Sequence, residues 1–176
     1  MAPETLWHVH SARPDATEAL GEALGAALVA GTLIALDGEL GSGKTTFVRG
    51  LARGLGVDGG VSSPTFTRMR ALEGRMPLYH FDAWRAGGEE LFMEGLDLLC
   101  GEGVAVVEWA ERVEELLPHP RIELALAHLG PERRAIRAGR PTSREGSREA
   151  ARALEDTLEA VAEAARSISG LEFVAP

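Results

Sequence analysis

The chain has 176 residues, 45% of them apolar and 26% charged, with a formal net charge of −9, the profile of one globular domain long enough to bury a core. Its 18 basic residues are 17 arginines and a single lysine, Lys44, and it contains no asparagine and no glutamine, which excludes N-glycosylation, base reading by Asn and a Ras-type glutamine for orienting water. One cysteine, Cys100, excludes an intramolecular disulfide and CxxC metal or redox pairs.

The opening MAPETLWHVH has neither a basic n-region nor an apolar h-region, and the longest nearly apolar run, Ala26–Leu36, falls far short of the ~20 residues a bilayer requires. A cytoplasmic protein with no membrane span is expected. In chain order, Thr5–His10 reads as a first strand, and Asp15-Ala-Thr-Glu18 has the form of a helix-capping signal. Leu20, Leu24 and Leu28 carry that helix, with Gly31 placed to end it. Thr32–Leu36 is an apolar strand leading into a glycine loop, and Thr45–Leu55 resumes helical spacing through Phe47, Val48, Leu51 and Leu55.

Thr65–Ala71 and Met76–Phe81 are strand-like runs around a turn at Leu72–Arg75, and Glu89–Leu99 is predicted to be a short helix. Gly103–Trp109 reads as a buried strand because its Val-Ala-Val-Val centre is apolar throughout, and Ala110–Leu117 supplies one or two helical turns before Pro118. Ile122, Leu124 and Leu126 alternate, and Arg133–Arg137 is the last predicted strand. Ser147 is placed to cap a final helix reaching about Ser167, with Leu154, Leu158, Val161, Ala165 and Ile168 on one stripe. That stripe either packs on the domain or meets a partner. The expected organisation is an α/β domain over 1–138 with a mixed sheet, a linker over 139–147, and a C-terminal helix and tail over 148–176.

Gly38-Glu39-Leu40-Gly41-Ser42-Gly43-Lys44-Thr45 satisfies G-x-x-x-x-G-K-[ST] between an apolar strand and a helix, the context in which the pattern marks a phosphate-binding loop. Glycines let successive N–H groups converge on phosphate oxygens at the positive end of the helix, and Thr46 extends that turn. Lys44 supplies charge to the β- and γ-phosphates and Thr45 a hydroxyl to Mg²⁺. The only lysine stands where a compact, flexible ammonium is needed and a guanidinium fork is too bulky.

Asp82 ends Leu78-Tyr-His-Phe-Asp and Glu108 ends Val104-Ala-Val-Val-Glu, so each has the form of a Walker B acid. With no glutamine, one of them is expected to position water, and spacing does not divide the metal and water roles between them. An N-K-x-D guanine reader needs an Asn and a second lysine, and both are missing. A small-molecule kinase, with the Arg133–Arg148 stretch as its lid, and a nucleotide-gated binding module remain as alternatives.

Four motifs, Gly38–Thr45, Ser63-Pro64-Thr65-Phe66, Tyr79-His80-Phe81-Asp82 followed by Arg85, and Val107-Glu108-Trp109, stand in the order and near the spacing of the bacterial TsaE (YjeE) ATPases. The chain resembles that family over roughly residues 5–138. The resemblance implies a P-loop NTPase-type three-layer fold and a slow Mg²⁺-dependent ATPase of the pathway that installs threonylcarbamoyladenosine at tRNA position 37, acting with a TsaD–TsaB transferase complex. It gives Thr45 and Glu108 to Mg²⁺, Asp82 to a catalytic or switch role, and Ser63, Pro64, Thr65 and Phe66 to a nucleotide-sensing loop. Trp109 is implied beside the nucleotide, and Ser11 and Thr17 near its base. Trp84 replaces the usual Tyr and Ala110 the usual Pro.

His80 reads either as part of the switch or as a strand histidine satisfied by a backbone partner. His8 and His10 share a strand face. The six arginines of Arg133–Arg148 against one acid, Glu145, are either solvated surface or a phosphate contact, to nucleotide through Arg133 or Arg134 or to tRNA held by the complex. The acidic remainder argues that tRNA is met only through the complex.

Overall fold

A computed structural model describes residues 4–58, 61, 69–84, 101–143 and 146–175. Among the described residues, eight strands form one mixed sheet: β1 (Thr5–Ser11), β2 (Thr32–Asp37), β3 (Met69–Leu72), β4 (Leu78–Asp82), β5 (Val104–Glu108), β6 (Ile122–His128), β7 (Arg134–Gly139) and β8 (Leu171–Val174). Their order is β3-β4-β5-β2-β6-β7-β1-β8. The central pairs β4–β5, β5–β2 and β2–β6 are parallel, and the outer pairs are antiparallel. Among the described residues there are three α-helices, α1 (Pro14–Ala27), α2 (Lys44–Gly54) and α3 (Arg148–Ala165).

Burial follows layering. β4 and β5 are buried at every position, as strands covered on both faces must be, whereas β6 alternates. On one face Ile34, Leu36, Val104 and Val106 meet Leu20 and Leu24 of α1, Phe47 and Leu51 of α2, and Leu158 and Val161 of α3. On the other, Leu33, Ala35, Phe81 and Val107 meet Ala110, Val113 and Leu117, carried on or beside two 3₁₀ turns at Ala110–Arg112 and Glu114–Leu116. The fold is α/β with three layers.

Several boundaries differ from expectation. α1 begins at Pro14, whose fixed φ suits the first helical position, so Asp15 is inside the first turn, bonded to Arg13 Nε at 2.8 Å, and is not the cap. The helix ends at Ala27 instead of near Gly31, where Leu28 turns extended, and the Arg75 guanidinium donates to the carbonyls of Gly25 and Leu28 at 2.8 and 2.7 Å. The Leu72–Arg75 turn is longer than expected, since Leu72 pairs with Leu78. Arg134–Gly139 is not the last strand: β8 adds to the sheet beyond β1, after a turn at Gly170 with φ +89. The predicted helix Glu89–Leu99 lies outside the described residues.

α1 and α2 approach backbone to backbone. A methyl group at Gly21 would strike the Phe47 carbonyl, at Gly25 that of Leu51, at Gly50 that of Glu18 and at Gly54 that of Glu22. Two glycines four apart on each helix thus form a reciprocal seam, and it fixes α2, whose first turn belongs to the glycine loop. Ala is the better helix former by about 1 kcal/mol, but overpacking against a carbonyl costs about 1–3 kcal/mol. Gly50→Ala is therefore expected to be destabilising, read as a lower urea midpoint at unchanged m-value.

Candidate functional site

β2 ends at Asp37 beside its parallel neighbours β5 and β6, and the chain turns through Gly38, Gly41 and Gly43, with φ +140, +76 and +101, before α2 begins. Those angles belong to the region that only glycine enters freely. Gly43 is the N-cap and supplies no side-chain cap bond, so the first N–H groups of α2 lack that partner and are available to an anion. Ser42 is buried beneath the loop, with an Oγ that has no partner among the described residues.

Lys44 is buried. Its ammonium donates to the Gly38 and Glu39 carbonyls at 2.5 and 3.0 Å and lies 3.7 Å from the centre of the Trp109 ring. Burial lowers its pKa, opposed chiefly by Glu108 and then by Glu111, Asp37 and Asp82. Trp109 is the one described non-glycine residue with positive φ, at +61, a conformation costing roughly 1–2 kcal/mol. Its N–H donates to Leu36 O at 3.0 Å, and its ring meets Trp84 at 4.8 Å between centroids. Trp84 is 58% exposed and carries the Arg112 guanidinium over its face at 4.3 Å.

A cavity of about 540 Å³ opens at this point, and Leu40, Gly41, Gly43, Lys44, Thr45, Thr46, Asp82, Glu108 and Trp109 all line it. The parallel register sets Asp82 opposite Glu108. One Asp82 oxygen accepts the Trp84 N–H at 3.0 Å, and Glu108 Oε1 lies 2.8 Å from His80 Nε2. Among the described residues His80 is thus partnered by a carboxylate and not by backbone.

Other expected residues fall elsewhere. Ser11 and Thr17 are buried away from the cavity lining, with Thr17 Oγ1 donating to Ser11 Oγ and Ser11 Oγ to Arg13 O, each at 2.8 Å. Glu39 contributes its carbonyl. Arg133 does not line the cavity, whereas Arg134 does, bonding Gly41 O at 3.2 Å. Ser63–Phe66 and Arg85 lie outside the described residues. His8 and His10 meet at 4.9 Å, but no group of three His, Cys, Asp or Glu side chains among the described residues is placed to hold a metal.

Asp37 escaped the sequence reading, although it ends an apolar strand as Asp82 and Glu108 do. Its Oδ1 accepts the Glu111 N–H at 2.8 Å, which ties the turn after Trp109 to the start of the glycine loop. Burial first, then the Glu111 carboxyl and the Glu123 charge, push its pKa up to about 7. In the sequence Trp84 stands out only as the neighbour of a candidate acid, and Arg134 only as an alternative to Arg133; their place at the cavity requires the fold.

A glycine loop between a parallel strand and a helix, with carboxylates at the ends of adjacent strands, defines a P-loop protein of the nucleotide-binding type. The family model described as "Threonylcarbamoyl adenosine biosynthesis protein TsaE" matches residues 11–136. The chain is similar to the tRNA threonylcarbamoyladenosine biosynthesis protein TsaE of Bacillus subtilis, 41% identical over 70% of this chain and 78% of that one. It is 47% identical to the protein of the same name from Streptomyces coelicolor, over 61% and 76% of the two chains. The crystal structure of Bacillus subtilis YdiB superposes with a TM-score of 0.70 at 31% identity, over 89% of this chain and 94% of that one. The chain belongs to the TsaE family of threonylcarbamoyladenosine biosynthesis. No helix among the described residues is long and apolar enough to cross a membrane.

Because the Asp37 carboxyl holds its proton more tightly in the fold, its contribution to stability is full below its unfolded pKa near 4 and is lost as pH rises through about 7. Asp37→Asn is expected to flatten that part of the profile. The check is the urea midpoint at pH 5 and pH 8, with the parent losing more than the variant over this interval.

Proposed function

We propose that this chain is a slow Mg²⁺-dependent ATPase whose hydrolysis drives turnover of a TsaD–TsaB-like transferase complex during threonylcarbamoyladenosine modification of tRNA, in the cytoplasm. The carrying observation is the convergence of Lys44, Thr45, Asp82 and Glu108 on one cavity at the uncapped N-terminus of α2. The donor set fits a magnesium nucleotide. Thr45 and the two acids offer hard oxygens, and with no three-residue metal cluster among the described residues the phosphates would complete the coordination.

In this reading Lys44 leaves the Gly38 and Glu39 carbonyls and the Trp109 face for the β- and γ-phosphates, while N–H groups from Gly41 to Thr46 meet the remaining oxygens. Thr45 and Glu108 would hold Mg²⁺, which would supply charge neutralisation to the phosphates. Asp82 orients the attacking water, a role no glutamine can take here. Trp109 closes the phosphate side, and Arg134 in place of Arg133 braces the loop at Gly41. Guanine specificity through N-K-x-D is unavailable to a chain with no Asn and one lysine. A kinase lid is disfavoured because Arg134 is the one arginine lining the cavity among the described residues. The net charge of −9 supports tRNA contact through the complex instead of alone.

The test is ATP turnover and tRNA modification with the transferase pair and tRNA supplied. The pair should stimulate hydrolysis, and Asp82→Ala should keep ATP affinity within about threefold while halting modification after the first round. Full multi-round modification by the Asp82→Ala protein contradicts the reading and favours a nucleotide-gated binding module.

A further inference from the structure

Glu108 and His80 form a buried pair behind the cavity. Glu108 is 3% exposed and His80 fully buried, and their side chains meet at 2.8 Å between Nε2 and Oε1. The strand register explains the meeting. His80 lies opposite Val106, two positions short of the Asp82–Glu108 pair, on the face of the sheet that Leu78, Val104 and Val106 turn toward α2. A carboxylate this deep requires hydrogen-bond partners, and among the described residues His80 is the one side chain that bonds it. The imidazole is not held from its other side, since Nδ1 has no partner among the described residues. Packing orients the ring, and the ring orients the carboxylate.

We infer that His80 is the positioning residue that fixes Glu108. By donating Nε2–H to Oε1 it leaves Oε2 as the oxygen presented to the cavity, and so assigns Glu108 to the cation. The inference rests on the magnesium–nucleotide reading of the cavity. Outer partners of this kind, when removed, typically cost about 10–100-fold in metal affinity or activity.

The experiment compares the parent with His80→Leu, His80→Gln and His80→Asn, measuring affinity for a fluorescent ATP analogue with Mg²⁺ and with EDTA, the hydrolysis rate, and metal-free melting. His80→Leu should keep the EDTA affinity within about twofold yet lose about tenfold or more in both the Mg²⁺-dependent gain and turnover. His80→Gln, whose amide nitrogen reaches the Nε2 position, should recover most of that loss, and His80→Asn, whose amide is shorter, should not. A folded His80→Leu protein with the parent's Mg²⁺ dependence and turnover overturns the inference. Should His80→Leu fail to fold, the two amides decide, and equal behaviour of Gln and Asn overturns it. A parent that shows no Mg²⁺-dependent nucleotide binding overturns the underlying reading and the inference with it, an outcome visible before any variant is made.

Discussion

A buried ammonium must be compensated, and the site is organised around that requirement at Lys44. Two loop carbonyls and the face of Trp109 hold its charge, and four carboxylates, of Glu108, Glu111, Asp37 and Asp82, surround it with a favourable field. Three of the four carboxylates also have a second tie. Glu108 is bonded to His80, Asp82 to the Trp84 backbone, and Asp37 to the Glu111 backbone. The ammonium is therefore at the centre of a set of strand ends and turns that constrain one another. Phosphate oxygens would satisfy Lys44 more strongly than neutral carbonyls do, so a nucleotide competes for a group already pre-placed.

The fold supplies the rigidity this arrangement needs. Parallel register between β4 and β5 puts Asp82 and Glu108 side by side, and β2 delivers the glycine loop between β5 and β6. The glycine seam between α1 and α2 then sets the direction from which α2 aims its N-terminus. Trp109 is where the backbone is strained: its positive φ turns the chain sharply after Glu108 and brings the ring over Lys44. On the far side of the sheet, Ala110, Val113 and Leu117 bury that turn against Phe81 and Val107.

Much of this was legible in the sequence, for identifiable reasons. The loop at Gly38–Thr45 needs particular residues at particular spacing, and Asp82 and Glu108 end apolar runs, so both signals are local. The glycine seam was not legible, because Gly21, Gly25, Gly50 and Gly54 gain meaning only when two helices face one another. β8 is four residues long and pairs with β1 from the opposite end of the chain, so only the fold reveals it. Arg133 and Arg134 stood as alternatives in the sequence, and only the fold shows that Arg134, at the start of β7, is the one that reaches Gly41. Ser11 and Thr17 were placed by resemblance, and in the structure they bond one another at the start of α1.

The central claim is that Lys44 at the head of α2 serves a nucleotide phosphate. Calorimetric titration of ATP with Mg²⁺ into the parent and into Lys44→Ala tests it most directly. The expected result is saturable one-site binding that weakens about 10–100-fold in the variant, the worth of a charge-assisted bond. A parent that binds no nucleotide, or a Lys44→Ala protein that binds ATP as the parent does, would contradict it.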